Sequence, residues 1–103
     1  MRQKITTEIT AAAASTAIST LEAGFLPGVD VIADIFAPLG AFAGTARWQT
    51  SPDNVTWSNV GVDVVLTTGG FNTQTIRLAQ WVRLNVSAFT SGRVGGRLLS
   101  DID

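Results

Sequence analysis

The 103-residue sequence contains no cysteine, no histidine and no tyrosine. Without cysteine there can be no disulfide and no thiolate metal site, and without histidine the commonest general base and metal ligand are missing. Among the carboxylates, Asp30 and Asp34 share one face of a predicted strand, but strand rise places them about 13 Å apart. A glycosidase pair needs roughly 5–9.5 Å. Because no nucleophile, metal-ligand cluster or phosphate loop is evident either, we expect no enzyme, no metal ion and no cofactor.

Charged residues are also scarce, at 15% of the chain against about 25% in typical soluble domains. The net charge of −1 gives no electrostatic reason to expect nucleic acid or an anionic membrane as a partner. No run approaches the roughly 20 apolar residues of a transmembrane helix, and residues 1–10 lack the apolar stretch of a signal peptide. Few charges indicate instead that other subunits cover part of the surface.

Short alternating runs separated by turn residues indicate an all-β fold. We predict seven to nine strands in a two-layer antiparallel β-sandwich of the jelly-roll type. Residues 1–23 are predicted as an extended N-terminal arm or first strand, and residues 24–103 as the sandwich, within a single domain. Because Ala11–Ala14 favours helix while the nearby serines and threonines oppose it, we expect a loop followed by a short strand at residues 17–21.

The clearest alternation of the chain is at Val82, Leu84 and Val86. It predicts a core strand that packs with Trp48 and with three side chains of another strand. Those three are Val62, Val64 and Leu66. The strand that begins at Trp57 is expected to end at Gly61, and the Gly69–Gly70 pair to form a tight hairpin.

Two blocks are more specific than the composition. The first is ARWQTSPDNVTWSNV at residues 46–60, and the second is WVRLNVSAFTSG at residues 81–92. Together with ITAAAASTAI at residues 9–18, they resemble a family of small β-sandwich virion proteins encoded by tailed bacteriophages. The chain departs from that family at Asn54, where glycine is frequent, and at residues 94–97, where Val-Gly-Gly-Arg replaces β-branched residues. The two glycines favour a bulge or a close approach by a neighbouring chain.

The resemblance implies a capsid decoration (cement) protein that is made in the host cytoplasm and lies on the capsid surface of the virion. Its partner would be the major capsid protein or another virion protein, and it would bind over capsid-protein junctions as a homo-oligomer, a trimer being the first choice. The alternative is a carbohydrate- or receptor-binding module of a tail or fibre, and a structural component of the tail or neck also remains open.

The turn at Ser51, Asp53, Asn54 and Trp57 bears on this alternative, since it also resembles turns of sugar-binding sandwiches such as discoidin-like domains. In the favoured interpretation Asp53 caps the turn and Trp57 packs into the core. In the other, Trp57 stacks on a sugar ring while Asp53 and Asn54 bind hydroxyl groups.

A second set of residues is predicted to contact partner subunits. Asp30, Ile32, Asp34 and Phe36 form a mixed strand face, and Trp81 falls opposite the apolar side of its own strand. Three outward arginines are expected to pair with Asp30, Asp34 or Asp63, within the chain or across a subunit contact, rather than with nucleic acid. The predicted interface comprises Ile32, Phe36, Trp81, Arg83, Arg93 and Arg97.

Overall fold

A computed structural model describes residues 2–37, 42–67 and 70–100. Within them the chain forms eight strands and no helix, which confirms the all-β prediction. The strands are β1 (Arg2–Ile5), β2 (Ile18–Ser19), β3 (Asp30–Ala37), β4 (Ala43–Ser51), β5 (Ser58–Leu66), β6 (Gly70–Arg77), β7 (Trp81–Ser91) and β8 (Gly95–Ser100). None of the described residues belongs to a helix that could cross a membrane.

The strands form two antiparallel sheets that pack as a sandwich. The first sheet has the order β1-β8-β3-β6 and the second has the order β2-β7-β4-β5. β1 therefore pairs with β8, β2 with β7, β3 with β6 and β4 with β5, which is the winding of an eight-stranded jelly roll. The predicted hairpin at Gly69–Gly70 is wrong, because β5 and β6 lie in different sheets and the chain crosses between the layers there. Gly69 itself is outside the described residues.

The core lies between the sheets and follows the predicted alternation. Val82, Leu84 and Val86 of β7 are buried, as are Trp48 and Val64, whereas Leu66 is only partly buried. The other buried hydrophobic side chains are Ile9, Ile18, Phe25, Val31, Ala33, Ile35, Phe42, Ala46, Ile76, Leu78, Val94 and Leu98.

The two glycines of β8 make room for aromatic rings of the same chain. A Cβ atom at position 96 would lie 2.5 Å from Cη2 of Trp48, and one at position 95 would lie 3.4 Å from Cζ of Phe36. The predicted close approach at Gly95 and Gly96 therefore occurs within one protomer. Gly96 lets the central tryptophan press against the backbone of the opposite sheet.

The N-terminal segment lies along its own sandwich and joins the two sheets. β1 pairs with β8 of the first sheet, and the backbone N–H and C=O of Ile9 bond to Val94. The segment then crosses to the second sheet, where the N–H of Ser15 donates to the carbonyl of Leu84. β2 pairs with β7, which confirms the predicted loop followed by a short strand.

β5 does not end at Gly61, as predicted, but continues through a bulge. Ala46 pairs with Val64 and Trp48 pairs with Val60, so three residues of β5 lie opposite Arg47 alone. Gly61 adopts a φ of +70°, which glycine tolerates without steric cost. The bulge turns Val62 outward, and its side chain is 59% exposed. The expectation that Val62 points inward is therefore wrong, because strict alternation holds only in a regular strand.

Candidate functional site

The structure divides the six predicted interface residues between two opposite surfaces. Ile32 and Phe36 of β3 and Arg97 of β8 lie on the outer face of the first sheet, away from the core. Trp81 and Arg83 of β7 lie on the outer face of the second sheet. The sixth, Arg93, lies in the β7–β8 connection, where its Nε is 3.7 Å from Oε2 of Glu8. One flat interface cannot hold all six residues.

The outer face of the first sheet carries hydrophobic side chains on all four strands, interspersed with polar and charged ones. Cross-strand pairing places Ile32 beside Leu99, Phe36 beside Phe71, and Ile5 beside Arg97. Ile5 is 53% exposed, Ile32 39% and Phe71 59%. We call the five hydrophobic side chains of this surface the apolar face: Ile5, Ile32, Phe36, Phe71 and Leu99.

A buried ion pair lies in the middle of the apolar face. Asp34 is only 2% exposed, and its Oδ2 accepts hydrogen bonds from Nη2 of Arg97 at 2.7 Å and from Nε at 3.2 Å. Its Oδ1 accepts a hydrogen bond from the hydroxyl of Thr73 at 2.9 Å. The predicted pairing of Arg97 with Asp34 is confirmed. Since the two charges compensate each other, the face can approach another apolar surface without bringing an unpaired charge into the contact.

The outer face of the second sheet is polar and aromatic. The guanidinium carbon of Arg83 lies 4.0 Å from the centroid of the Trp57 ring. Its Nε–H donates to Oε1 of Gln49 at 2.8 Å, and the amide nitrogen of Gln49 donates to Oδ1 of Asn59 at 3.0 Å. Trp81, two residues before Arg83 on β7, is partly exposed on this face. We call these five residues the Arg83 cluster.

Arg83 differs from the other arginines whose side chains the structure describes. Each of those contacts a carboxylate: Arg47 contacts Asp63, Arg77 contacts Asp30, Arg93 contacts Glu8 and Arg97 contacts Asp34. Arg83 has no carboxylate within ion-pair distance among the described residues, so the acidic partner expected for it is not found in that part of the chain. Desolvation by burial lowers the pKa of its guanidinium, which nevertheless stays charged, because arginine is not deprotonated in proteins.

The 51–57 turn is capped from within. The hydroxyl oxygen of Ser51 accepts hydrogen bonds from the backbone N–H groups of Asp53 at 3.2 Å and Asn54 at 2.9 Å. Oδ1 of Asp53 accepts those of Thr56 at 2.8 Å and Val55 at 2.9 Å. These two backbone bonds and the Ser51 hydroxyl lower the pKa of Asp53. Asn54 has a φ of +63°, the left-handed conformation that asparagine tolerates. The predicted capping role of Asp53 is confirmed.

The prediction that Trp57 packs into the core is wrong. The side chain is only partly buried and lies against Arg83 on the outer face. It directly precedes Ser58, which pairs with Thr50 of β4. The capped turn thus positions the Trp57 ring on the outside of the second sheet rather than between the two sheets.

Sequence reasoning missed several members of both surfaces. Phe71 joins the apolar face only because β6 pairs with β3, and no local pattern encodes that pairing. Gln49 and Asn59 belong to the Arg83 cluster because β4 lies between β5 and β7. Their alternation with buried neighbours could have identified them as outward-facing, but not as neighbours of Arg83.

Neither a comparison with protein-family models nor one with curated proteins finds a match for this chain. The fold places the protein in the class of all-β jelly-roll sandwiches, and its two outer faces are the candidate surfaces for recognition.

Proposed function

We propose that this protein is a structural component of a bacteriophage virion, a capsid decoration (cement) protein that binds through the apolar face. The observation that carries the proposal is the exposure of Ile5, Ile32 and Phe71 together on one sheet surface. Exposed hydrophobic side chains that group on one surface are typical of protein–protein contact sites, and the charges between them are already paired within the chain. The virion setting comes from the resemblance of residues 46–60 and 81–92 to phage β-sandwich proteins, and viral capsid domains are among the proteins that use jelly rolls.

The magnitude of the contact suits a protein that binds in multiple copies. Full burial of a large aliphatic or aromatic side chain contributes roughly 1.5–3 kcal/mol. Three side chains that are about half exposed would together contribute about 2–5 kcal/mol, before the cost of association. One such contact is weak. Several copies linked in a trimer would bind far more tightly, because the later contacts form at high effective concentration.

The test is binding to phage heads assembled without this protein. The double variant Ile32→Asp, Phe71→Asp should lose at least about tenfold in affinity by co-sedimentation and keep the circular dichroism of the wild type. The matched control is Val65→Asp, which alters a hydrophobic side chain that is even more exposed, at 67%, on an edge strand of the other sheet. Electron microscopy of heads carrying the wild type should locate the protein over capsid-protein junctions.

Full occupancy of the heads by the double variant would contradict the proposal. So would density that places the protein only at a tail tip.

A second candidate function is carbohydrate binding by the Arg83 cluster. The observation that favours it is the placement of Trp57 outside the core, on the same face as Trp81. Aromatic side chains accompanied by a few oriented polar groups are typical of ligand sites. Trp81→Ala should abolish saccharide binding on a glycan array while Phe71→Asp leaves it intact, and an array without any signal for the wild type would remove this candidate.

A further inference from the structure

We propose that the Arg83 cluster binds an acidic saccharide, with the carboxylate of a uronic-acid-type sugar on the guanidinium of Arg83. This inference rests on the second candidate function above and names its ligand class. It is independent of the apolar face, which lies on the opposite side of the sandwich.

The guanidinium of Arg83 is held in place before any ligand binds. It stacks on Trp57 at 4.0 Å, and its Nε–H bond to Gln49, itself bonded to Asn59, restricts rotation of the side chain. An arginine ordered in this way loses little conformational entropy when it binds a ligand.

The same guanidinium retains unused hydrogen-bond donors. Arginine carries five N–H groups, and within the described residues only the Nε–H of Arg83 has a partner. The two terminal amino groups are free to meet the two oxygens of a carboxylate, the geometry in which arginine binds most strongly and specifically. Among the arginines whose side chains the structure describes, Arg83 alone contacts no carboxylate of this chain, so its charge is available to an external anion.

The surroundings of Arg83 favour a sugar over an acidic peptide. Trp81 lies about 7 Å along β7 from Arg83, and Trp57 lies on the far side of β4. One face of the Trp57 ring is covered by the guanidinium, so the partly exposed Trp81 is the ring that offers apolar surface for the C–H face of a pyranose. Asn59 is exposed and keeps its amide N–H groups unpaired among the described residues, so it can donate to hydroxyl oxygens. The cluster itself consists of amides, an arginine and two indoles.

The experiment compares trigalacturonate with its fully methyl-esterified form by isothermal titration calorimetry, since the ester keeps the shape and removes the charge. Wild type should bind the acid at least about tenfold more tightly than the ester, a difference of about 1.4 kcal/mol. The preference should decrease with added salt, as expected for a partly exposed ion pair. Arg83→Gln should remove the preference and leave weak, equal binding of both ligands, and Arg83→Lys should retain only part of it because lysine lacks the planar fork.

The matched control is Arg77→Gln on the first sheet, which removes an exposed arginine from the opposite face and should leave both affinities unchanged. Equal binding of acid and ester by the wild type would overturn the acidic ligand class while leaving carbohydrate binding in place. Binding of neither saccharide would overturn the acidic ligand class, and a glycan array without any signal for the wild type would overturn carbohydrate binding as well. Hexaglutamate binding as tightly as trigalacturonate, and equally sensitive to Arg83→Gln, would show that the site takes acidic peptides and would refute the saccharide assignment.

Discussion

The buried ion pair of the apolar face predicts an asymmetric response to substitution. Removing Arg97 leaves the Asp34 carboxylate buried with only the Thr73 hydroxyl as a partner. Breaking a fully buried pair in this way costs about 3–5 kcal/mol. We expect the cost of Arg97→Met to lie near the lower end of that range, because the Thr73 hydroxyl bond remains and the pair is only partly buried. Removing Asp34 is different, because the Arg97 side chain is 34% exposed and can turn its charge toward water. Asp34→Leu should therefore cost only about 1–2 kcal/mol, on the order of one charge-assisted hydrogen bond.

The double variant Asp34→Leu, Arg97→Met should be clearly more stable than Arg97→Met alone, because it restores a surface without an unpaired charge. Urea denaturation followed by tryptophan fluorescence measures all three values, and equal m-values show that the compared states remain the same. The control is Arg77→Met on the same sheet face. Its pair with Asp30 has a similar distance of 3.1 Å but side chains that are 73% and 55% exposed, so the change should cost under about 1 kcal/mol. An Arg97→Met cost no larger than that of Asp34→Leu, or equal to that of Arg77→Met, would refute the reasoning.

Three further predictions test packing and capping. Gly96→Ala should destabilise by about 1–3 kcal/mol because its Cβ would overlap Trp48, while Gly95→Ala should cost less than about 1 kcal/mol in the same urea melts; equal costs would contradict the packing described here. Leu84→Ala should cost about 2–5 kcal/mol, and a loss below about 0.5 kcal/mol would show that the side chain is not in the core. The lowered pKa of Asp53 means that its stabilising contribution is complete above the unfolded pKa of about 3.9 and is lost as the pH falls through the lower folded value. Asp53→Asn should reduce the loss of unfolding free energy between about pH 4 and lower pH, and an unchanged pH dependence would argue against the cap.

The sequence was sufficient to predict the layers and most of the core, because one physical rule governs both. In a sheet with one buried face, successive side chains alternate between the core and the outside, so odd or even position in the strand decides burial. Val82, Leu84 and Val86 therefore gave the correct register of β7, and the same parity placed Trp48 inside and Trp81 outside. The turn at residues 51–56 was also predictable, since Asp53 and Asn54 favour local backbone bonding and left-handed geometry.

The candidate surfaces could not be predicted, because they depend on pairing between distant strands. Phe71 becomes part of the apolar face through Phe36, 35 positions earlier in the chain. Trp57 meets Arg83 only because β4 brings the end of the turn toward β7. Alternation also fails where the ladder is irregular, as at Val62, since the extra residues of a bulge turn outward while Val60 and Val64 on either side still face the core.

Both edges of the sandwich are covered or distorted, so the two outer faces are the main surfaces that remain for recognition. On one side, the segment between β1 and β2 bonds to β7 and β8. On the other, Gln74 of β6 accepts the N–H of Val62 at 2.9 Å, and the bulge distorts an edge that a foreign strand could otherwise extend. The molecule measures only 20 Å in its shortest dimension, and the outer faces of two packed sheets point in opposite directions. A contact through the apolar face therefore leaves the Arg83 cluster uncovered, so a protein attached to a particle by one sheet can present the other sheet to a second ligand.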